Sequence, residues 1–250
     1  MTKFSISKTD SIRHLIKNHF RMKQILIILF LIIISKTGNS QEIAYKVPDY
    51  DLIKKEIQNS TSSFYYPKLL SRLIQYDTTL TDEDFRYLYY GYIYQPKYQP
   101  YWISPYEKKL LKYYQSEKIK EKDYAEIIEL ATKSIDEFPF DLRQMNFLAY
   151  VYHLKGDEAT AKKIEYRLQR TLGAIVSTGD GKTCATAFHV ISVSHEYVIL
   201  NLFQFQEESQ SLSSDYCDYL TVKKDERNID GIYFNVKKLF DTTMELKKNK

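Results

Sequence analysis

The chain has 250 residues, 36 Lys/Arg against 32 Asp/Glu, and a formal net charge of +4. Residues 1–40 hold seven of the basic groups and one acid, Asp10, so residues 41–250 carry 29 basic and 31 acidic residues, net −2. A nucleic-acid backbone demands a concentrated positive surface, and this balance excludes nucleic acid as a partner.

Met22-Lys23-Gln24 leads into an unbroken apolar run, Ile25–Ile34, followed by Ser35-Lys36-Thr37-Gly38-Asn39-Ser40. A charged start, about ten apolar residues and small residues at Gly38 and Ser40 read as a secretory signal cut before Gln41. Translation from Met22 would account for the basic prefix Met1–Arg21. The run falls short of the ~20 residues a membrane span needs, so no stable span is expected after cleavage. No cysteine follows it, which excludes bacterial lipid attachment there. The expected location is exported, periplasmic or extracellular. In such an oxidising compartment Cys184 and Cys217 are free to pair, and the sequence leaves the pairing open.

Helical spacing runs from Asp49 to Leu172. Asp49 caps a helix through Gln58, and Tyr65–Tyr76 forms the next. Thr81-Asp82-Glu83-Asp84 is an N-cap followed by acids, favoured by the free amides and dipole of a helix start. The helix behind it carries Phe85, Leu88, Tyr89 and Tyr92 on one face and ends at Gln95-Pro96, because proline has no amide to donate. Pro96–Pro105 is a loop. Helices follow over Tyr106–Glu117, over Asp123–Phe138 before Pro139, and over Leu142–Leu154. Asp141 caps the last of these, with Gln144 placed for a reciprocal bond. Gly156-Asp157 turns into a final helix through Leu172.

Asp123 and Asp157, 34 residues apart, open equivalent helices at the tetratricopeptide period. Leu148-Ala149 and Tyr152 supply the large, small and aromatic positions of a first repeat helix. Gly156 is the turn, and Ala161 and Leu168 are the packing positions of the second helix. Pro139 stands where the preceding unit ends. The spacing predicts one complete unit, part of another, and degenerate helices upstream.

At Gly173 the pattern changes. Ala174–Ser177, Cys184–Val193, Tyr197–Phe203, Tyr216–Val222 and Ile232–Val236 read as short strands separated by turns and by a polar loop over Gln204–Ser214. Lys247–Lys250 reads as a basic tail. The expected fold class is α+β: a tetratricopeptide-like helical domain over 41–172, a small antiparallel β meander over 173–240, and a tail over 241–250.

Three stretches carry a family resemblance: Tyr87–Pro96, Thr186–Val193 and Ile232–Val236. By these the chain resembles a domain-of-unknown-function family of secreted proteins from Bacteroidetes. The resemblance implies helical repeats followed by a β unit, and export; it implies no reaction. Asp180-Gly181-Lys182-Thr183-Cys184 departs from the Gly/Ser/Glu-rich stretch expected there.

Candidate chemistry is sparse. Val176–Thr183 nearly matches a phosphate-binding loop, but its first glycine is missing and strand-like residues follow where a helix is required. Cys184 and His189, five apart on one strand, fall on opposite faces. His153, His189 and His195 lack metal-ligand spacing, and no metal, cofactor or catalytic set is predicted. Aromatic residues around Pro96–Pro105 offer a large apolar face with a polar tip. Tyr94, Tyr98, Tyr101 and Trp102 are therefore the candidate binding residues, and a protein or peptide is the expected partner. The functional expectation is an exported, non-enzymatic interaction module. The alternatives are an envelope hydrolase or a structural envelope component.

Overall fold

The computed structural model describes residues 44–248, with side chains through residue 245. The signal segment and the alternative start at Met22 lie outside the described residues, as do the last two tail residues. Nine α-helices and a four-stranded mixed sheet make an α+β fold among the described residues.

The first seven helices follow the sequence expectation closely. They are α1 (Tyr50–Gln58), α2 (Tyr66–Ile74), α3 (Asp82–Gly91), α4 (Glu107–Tyr114), α5 (Tyr124–Glu137), α6 (Leu142–Lys155) and α7 (Glu158–Val176). Asp49 accepts from the Leu52 amide at 2.9 Å. Thr81 and Asp84 form a reciprocal capping box at the start of α3, satisfying two amides that lack helical partners. Asp141 caps α6 through the Gln144 amide, but Gln144 does not return the bond. Its side-chain carbonyl accepts from the Tyr114 hydroxyl at 2.5 Å. Gly156 closes α6 at φ 82°, a left-handed conformation that glycine adopts without steric cost.

Consecutive helices pack on one another, α5 on α6 and α6 on α7, while α3 lies across α7 and is itself covered by α1 and α2. Leu148, Ala149, Ala161 and Leu168 are buried in the main core, with Tyr152 packed at its edge. The Pro139 carbonyl accepts from the buried Arg167 guanidinium at 2.6 Å. A second, smaller core joins α4, α5 and α6 through Leu110, Ile127, Phe147 and Val151.

The C-terminal region departs from expectation in four ways. First, α7 does not end at Leu172 but continues through Gly173 to Val176. Thr171, Ala174 and Ile175 keep the helical face inward, and the burial gained there outweighs the ~1 kcal/mol helix cost of one glycine. Second, Ser194–Phe203 is not a turn and a strand. Val193–Leu202 is a helix, α8, capped by Ser192. His195, Glu196, Val198, Ile199 and Leu200 are all buried; a helix covered on nearly every side shows no amphipathic period.

Third, the polar stretch Gln204–Ser214 is not a loop throughout but contains an edge strand. The strands are β1 (Phe188–His189), β2 (Glu207–Leu212), β3 (Cys217–Val222) and β4 (Gly231–Asn235), in the order β1-β4-β3-β2. β2, β3 and β4 form an antiparallel meander, but β1 joins β4 in parallel, so the sheet is mixed and not purely antiparallel. Fourth, the expected tail begins inside a helix, α9 (Lys237–Lys248). Among the described residues no helix is long and apolar enough to cross a membrane.

Candidate functional site

Helix α8 lies between the helical region and the sheet, and it presents two consecutive buried residues to two environments. His195 turns toward the helices. Its Nε2 lies 2.8 Å from the Phe140 carbonyl and its Nδ1 2.7 Å from the Tyr89 hydroxyl. A carbonyl can only accept, so Nε2 carries the proton and Nδ1 accepts from Tyr89. The same hydroxyl accepts from the Ile191 amide at 3.2 Å. Every polar atom of the group has a partner. Burial pulls the imidazole down to about 4, against the partial support of the Phe140 carbonyl, so the ring is neutral at pH 7.

Glu196 turns the other way, toward β3. It has no solvent exposure, and among the described residues neither carboxyl oxygen has a nitrogen or hydroxyl donor. It faces Asp218, itself 6 % exposed, whose Oδ1 likewise meets no donor. Burial, then the Asp218 charge and then the more distant Glu207 raise Glu196 well above the usual carboxylate range. Asp218 is also raised by burial, which outweighs the opposing bonds from Gln210 and Glu196. Two buried carboxyls in contact cannot both ionise, so they share a proton that resides on Glu196. The rest of the arrangement is ordered: the Tyr197 hydroxyl donates to Gln210 Oε1 at 2.8 Å, and Gln210 Nε2 donates to Asp218 Oδ2.

Asp218 and Gln210 are also the polar part of an open groove of about 400 Å³. Ser211 and Leu212 of β2 and Val193 of α8 also line it. Val236 and Phe240, from the C-terminal helix region, and Tyr101 complete the lining. In the β2–β3 register Gln210 sits opposite Leu220 and Leu212 opposite Asp218. These residues therefore share the face of the sheet that α8 covers, since side chains alternate along a strand. Both Tyr101 and Leu212 are about half exposed, 51 % and 49 %. Its lining is apolar apart from Gln210, Ser211 and Asp218.

A disulfide between Cys184 and Cys217, with Cα atoms 5.6 Å apart, ties the turn before β1 to the first residue of β3. It thereby anchors the backbone next to Asp218. It also leaves no thiol at Cys184 for nucleophilic chemistry.

The profile of a domain-of-unknown-function family, DUF4919, matches residues 51–245. The chain belongs to the DUF4919 family. No curated protein and no solved structure matches it. The matched region of this DUF4919 chain includes α8, the four strands, the groove and the disulfide, so the site lies within the family domain.

The candidate aromatic residues do not act as a unit. Tyr98 is buried, and its hydroxyl donates to the Ile191 carbonyl at 2.8 Å; its phenol is structural and not a surface contact, because that carbonyl would otherwise be buried unpaired. Tyr94 donates to the Tyr50 carbonyl at 3.0 Å. Trp102 packs on Phe138 with ring centroids 5.1 Å apart. Tyr101 alone of the four lines the groove.

The histidines go to separate places. His153 bridges Glu158 and Glu165, His189 sits on β1 near the Tyr50 ring, and His195 joins Tyr89. The amides of Asp180 and Gly181 both donate to the Thr186 carbonyl, so the turn spends on itself the donors a phosphate would need. A Cβ on Gly179 would fall 2.0 Å from that carbonyl oxygen.

Sequence alone singled out neither Glu196 nor Asp218. The one available signal was a carboxylate heading the apolar run Tyr197–Leu200. It was masked because Ser194-His195-Glu196 has the composition of a turn.

Proposed function

We propose that this chain is an exported, non-enzymatic module that holds an extended segment of another protein in the groove beside β2. The carrying observation is the groove itself: open to solvent, walled by Tyr101, Leu212 and Phe240, and bordered by a strand at the edge of its sheet. An edge strand offers unpaired backbone groups to which an extended peptide can add, while adjacent pockets take alternate side chains. Tyr101, with its rigid amphipathic ring, serves as the anchor.

Export fits the apolar leader over Ile25–Ile34 and the disulfide, which persists in oxidising compartments. The family resemblance supports a secreted protein of Bacteroidetes. Packing of α5 on α6 and α6 on α7 supports tetratricopeptide-like pairing, with Leu148, Ala149, Tyr152, Ala161 and Leu168 at the repeat positions. In this reading the helices are the scaffold, with α3 packed across α7 and itself covered by α1 and α2.

Amide hydrogen exchange in the presence of a pool of extended octapeptides tests the proposal. The expected result is slowed exchange along β2, lost in the Tyr101→Ala, Leu212→Ser double variant. Protection confined to the α4–α6 surface would contradict it.

One observation favours a second reading, an envelope hydrolase. The Glu196–Asp218 pair holds a proton between two carboxyls, as acid–base machinery does. Glu196 is fully buried behind Asp218, so only Asp218 could meet a substrate. Turnover of a peptide or glycoside that Asp218→Asn abolishes would establish this reading.

A further inference from the structure

We infer that His153 is a pH-operated latch on the α6–α7 hairpin, closed while its ring is a cation and released when the ring loses a proton. Nδ1 lies 2.9 Å from Glu158 Oε2, and Nε2 lies 2.8 Å from Glu165 Oε1. An ionised carboxylate can only accept, so each ring nitrogen has to donate, and only imidazolium carries a proton on both. The two contacts therefore define the charge state in which the arrangement is complete. A neutral ring keeps one N–H, and its lone pair would face a carboxylate oxygen at hydrogen-bond distance. The contrast is with His195, whose ring has one acceptor and one donor and is neutral.

The latch joins the last turn of α6 to the first two turns of α7. Glu158 and Glu165 are seven residues apart and so lie on one face of α7. Between His153 and that face runs the turn closed by Gly156, where the Gly156 and Asp157 amides donate to the His153 and Tyr152 carbonyls. The other charged groups of the turn are engaged elsewhere. Asp157 accepts from the Thr160 amide and hydroxyl, and Lys155 lies over the Tyr152 ring at 5.9 Å. The charged groups that act on His153 are thus Glu158 and Glu165, both from α7. Burial lowers the imidazole, but the bonds to these two carboxylates and their charges outweigh it and raise His153 above its ordinary 6.5. The folded hairpin therefore holds the proton more tightly than the unfolded chain does. Its contribution is fully present below pH 6.5 and is lost as the pH rises through the folded value. Glu158 is the partner that leaves, since its side chain is 57 % exposed against 20 % for Glu165. It is also the first residue of α7, next to the turn. Release loosens the turn while α6 and α7 stay packed on each other.

The test uses the full chain with its disulfide intact, labelled with nitrogen-15 and followed from pH 5 to pH 9. Both ring nitrogens of His153 should show the imidazolium shift at pH 6 and lose it only above 6.5. Exchange of the Gly156, Asp157 and Ala161 amides, corrected for its intrinsic dependence on pH, should rise about two- to fivefold across the same step. Amides of α3 should show no such step. His153→Gln carries no charge at any pH and should remove the step at the turn. Glu165→Gln should bring the titration of His153 down toward 6.5, because glutamine offers the ring no charge. A ring that titrates at or below 6.5, or turn amides whose exchange ignores its titration, would overturn the inference. So would a step that survives in His153→Gln.

Discussion

His195 and Glu196 are neighbours in sequence, equally buried, and opposite in what they do. The histidine closes a network in which Tyr89, Phe140 and Ile191 leave nothing unpaired. The glutamate meets only Asp218: among the described residues no nitrogen or hydroxyl reaches its oxygens, and the proton that the two carboxyls share is their bond. Burial alone therefore does not separate structural cement from a site. Hydrogen-bond accounting does, because a satisfied buried network stabilises the fold and an unsatisfied one is tolerated only where a proton or a ligand completes it.

The largest expected effect comes from the clip that holds the open side. Cys184 and Cys217 are 33 residues apart in sequence, and replacing both with serine should cost about 3–4 kcal/mol of stability by the loop-entropy relation. Urea denaturation measures it. Hydrogen exchange should rise first in β3, beside Asp218, and not around Tyr89.

On the closed side, His195→Leu strands the Phe140 carbonyl and the Tyr89 hydroxyl in the core, and should cost about 3 kcal/mol. Tyr89→Phe removes one donor and one acceptor and should cost roughly half that. Thermal melts of the two variants rank them.

The two residues also pull stability in opposite directions with pH. His195 has a folded value near 4, against an ordinary 6.5. Below pH 6.5 the unfolded chain therefore binds more protons, and stability falls as pH drops toward 4, with His189 adding to the same arm. Glu196 and Asp218 are raised in the folded protein. Above the ordinary carboxylate range the folded chain binds more protons, and stability falls as pH rises toward the folded value of Glu196. The profile should peak between these arms. His195→Leu should flatten the acid arm, and Glu196→Gln the alkaline one, both read from urea midpoints between pH 4 and 9.

The smallest effect expected is that of Glu196→Gln on stability itself at pH 7. Glutamine is neutral and donates to Asp218 as the protonated acid does, so the change should stay below about 1 kcal/mol. A loss of several kcal/mol would mean that Glu196 is ionised and paired, contrary to its surroundings.

The helical half was legible in the sequence because its signals are local. Asp49, Thr81, Asp141 and Asp157 cap helices within three residues of themselves, and Gly156 and Pro139 end them. The C-terminal half was not, for a physical reason in each case. α8 is buried on nearly all sides, so its sequence lacks a period. β2 is an edge strand exposed on most of its length, so Glu207–Leu212 reads as polar loop. β1 is two residues long and pairs in parallel with a strand 46 positions away in register, which no local pattern announces. The groove needed five segments at once, of which the sequence singles out only Tyr101.

The most direct measurement is the carboxyl carbon resonance of Glu196 in chain labelled with carbon-13 at glutamate and aspartate, followed across pH. The account predicts a protonated Glu196 at pH 7, beside Asp218. A Glu196 already ionised at pH 7 would contradict it.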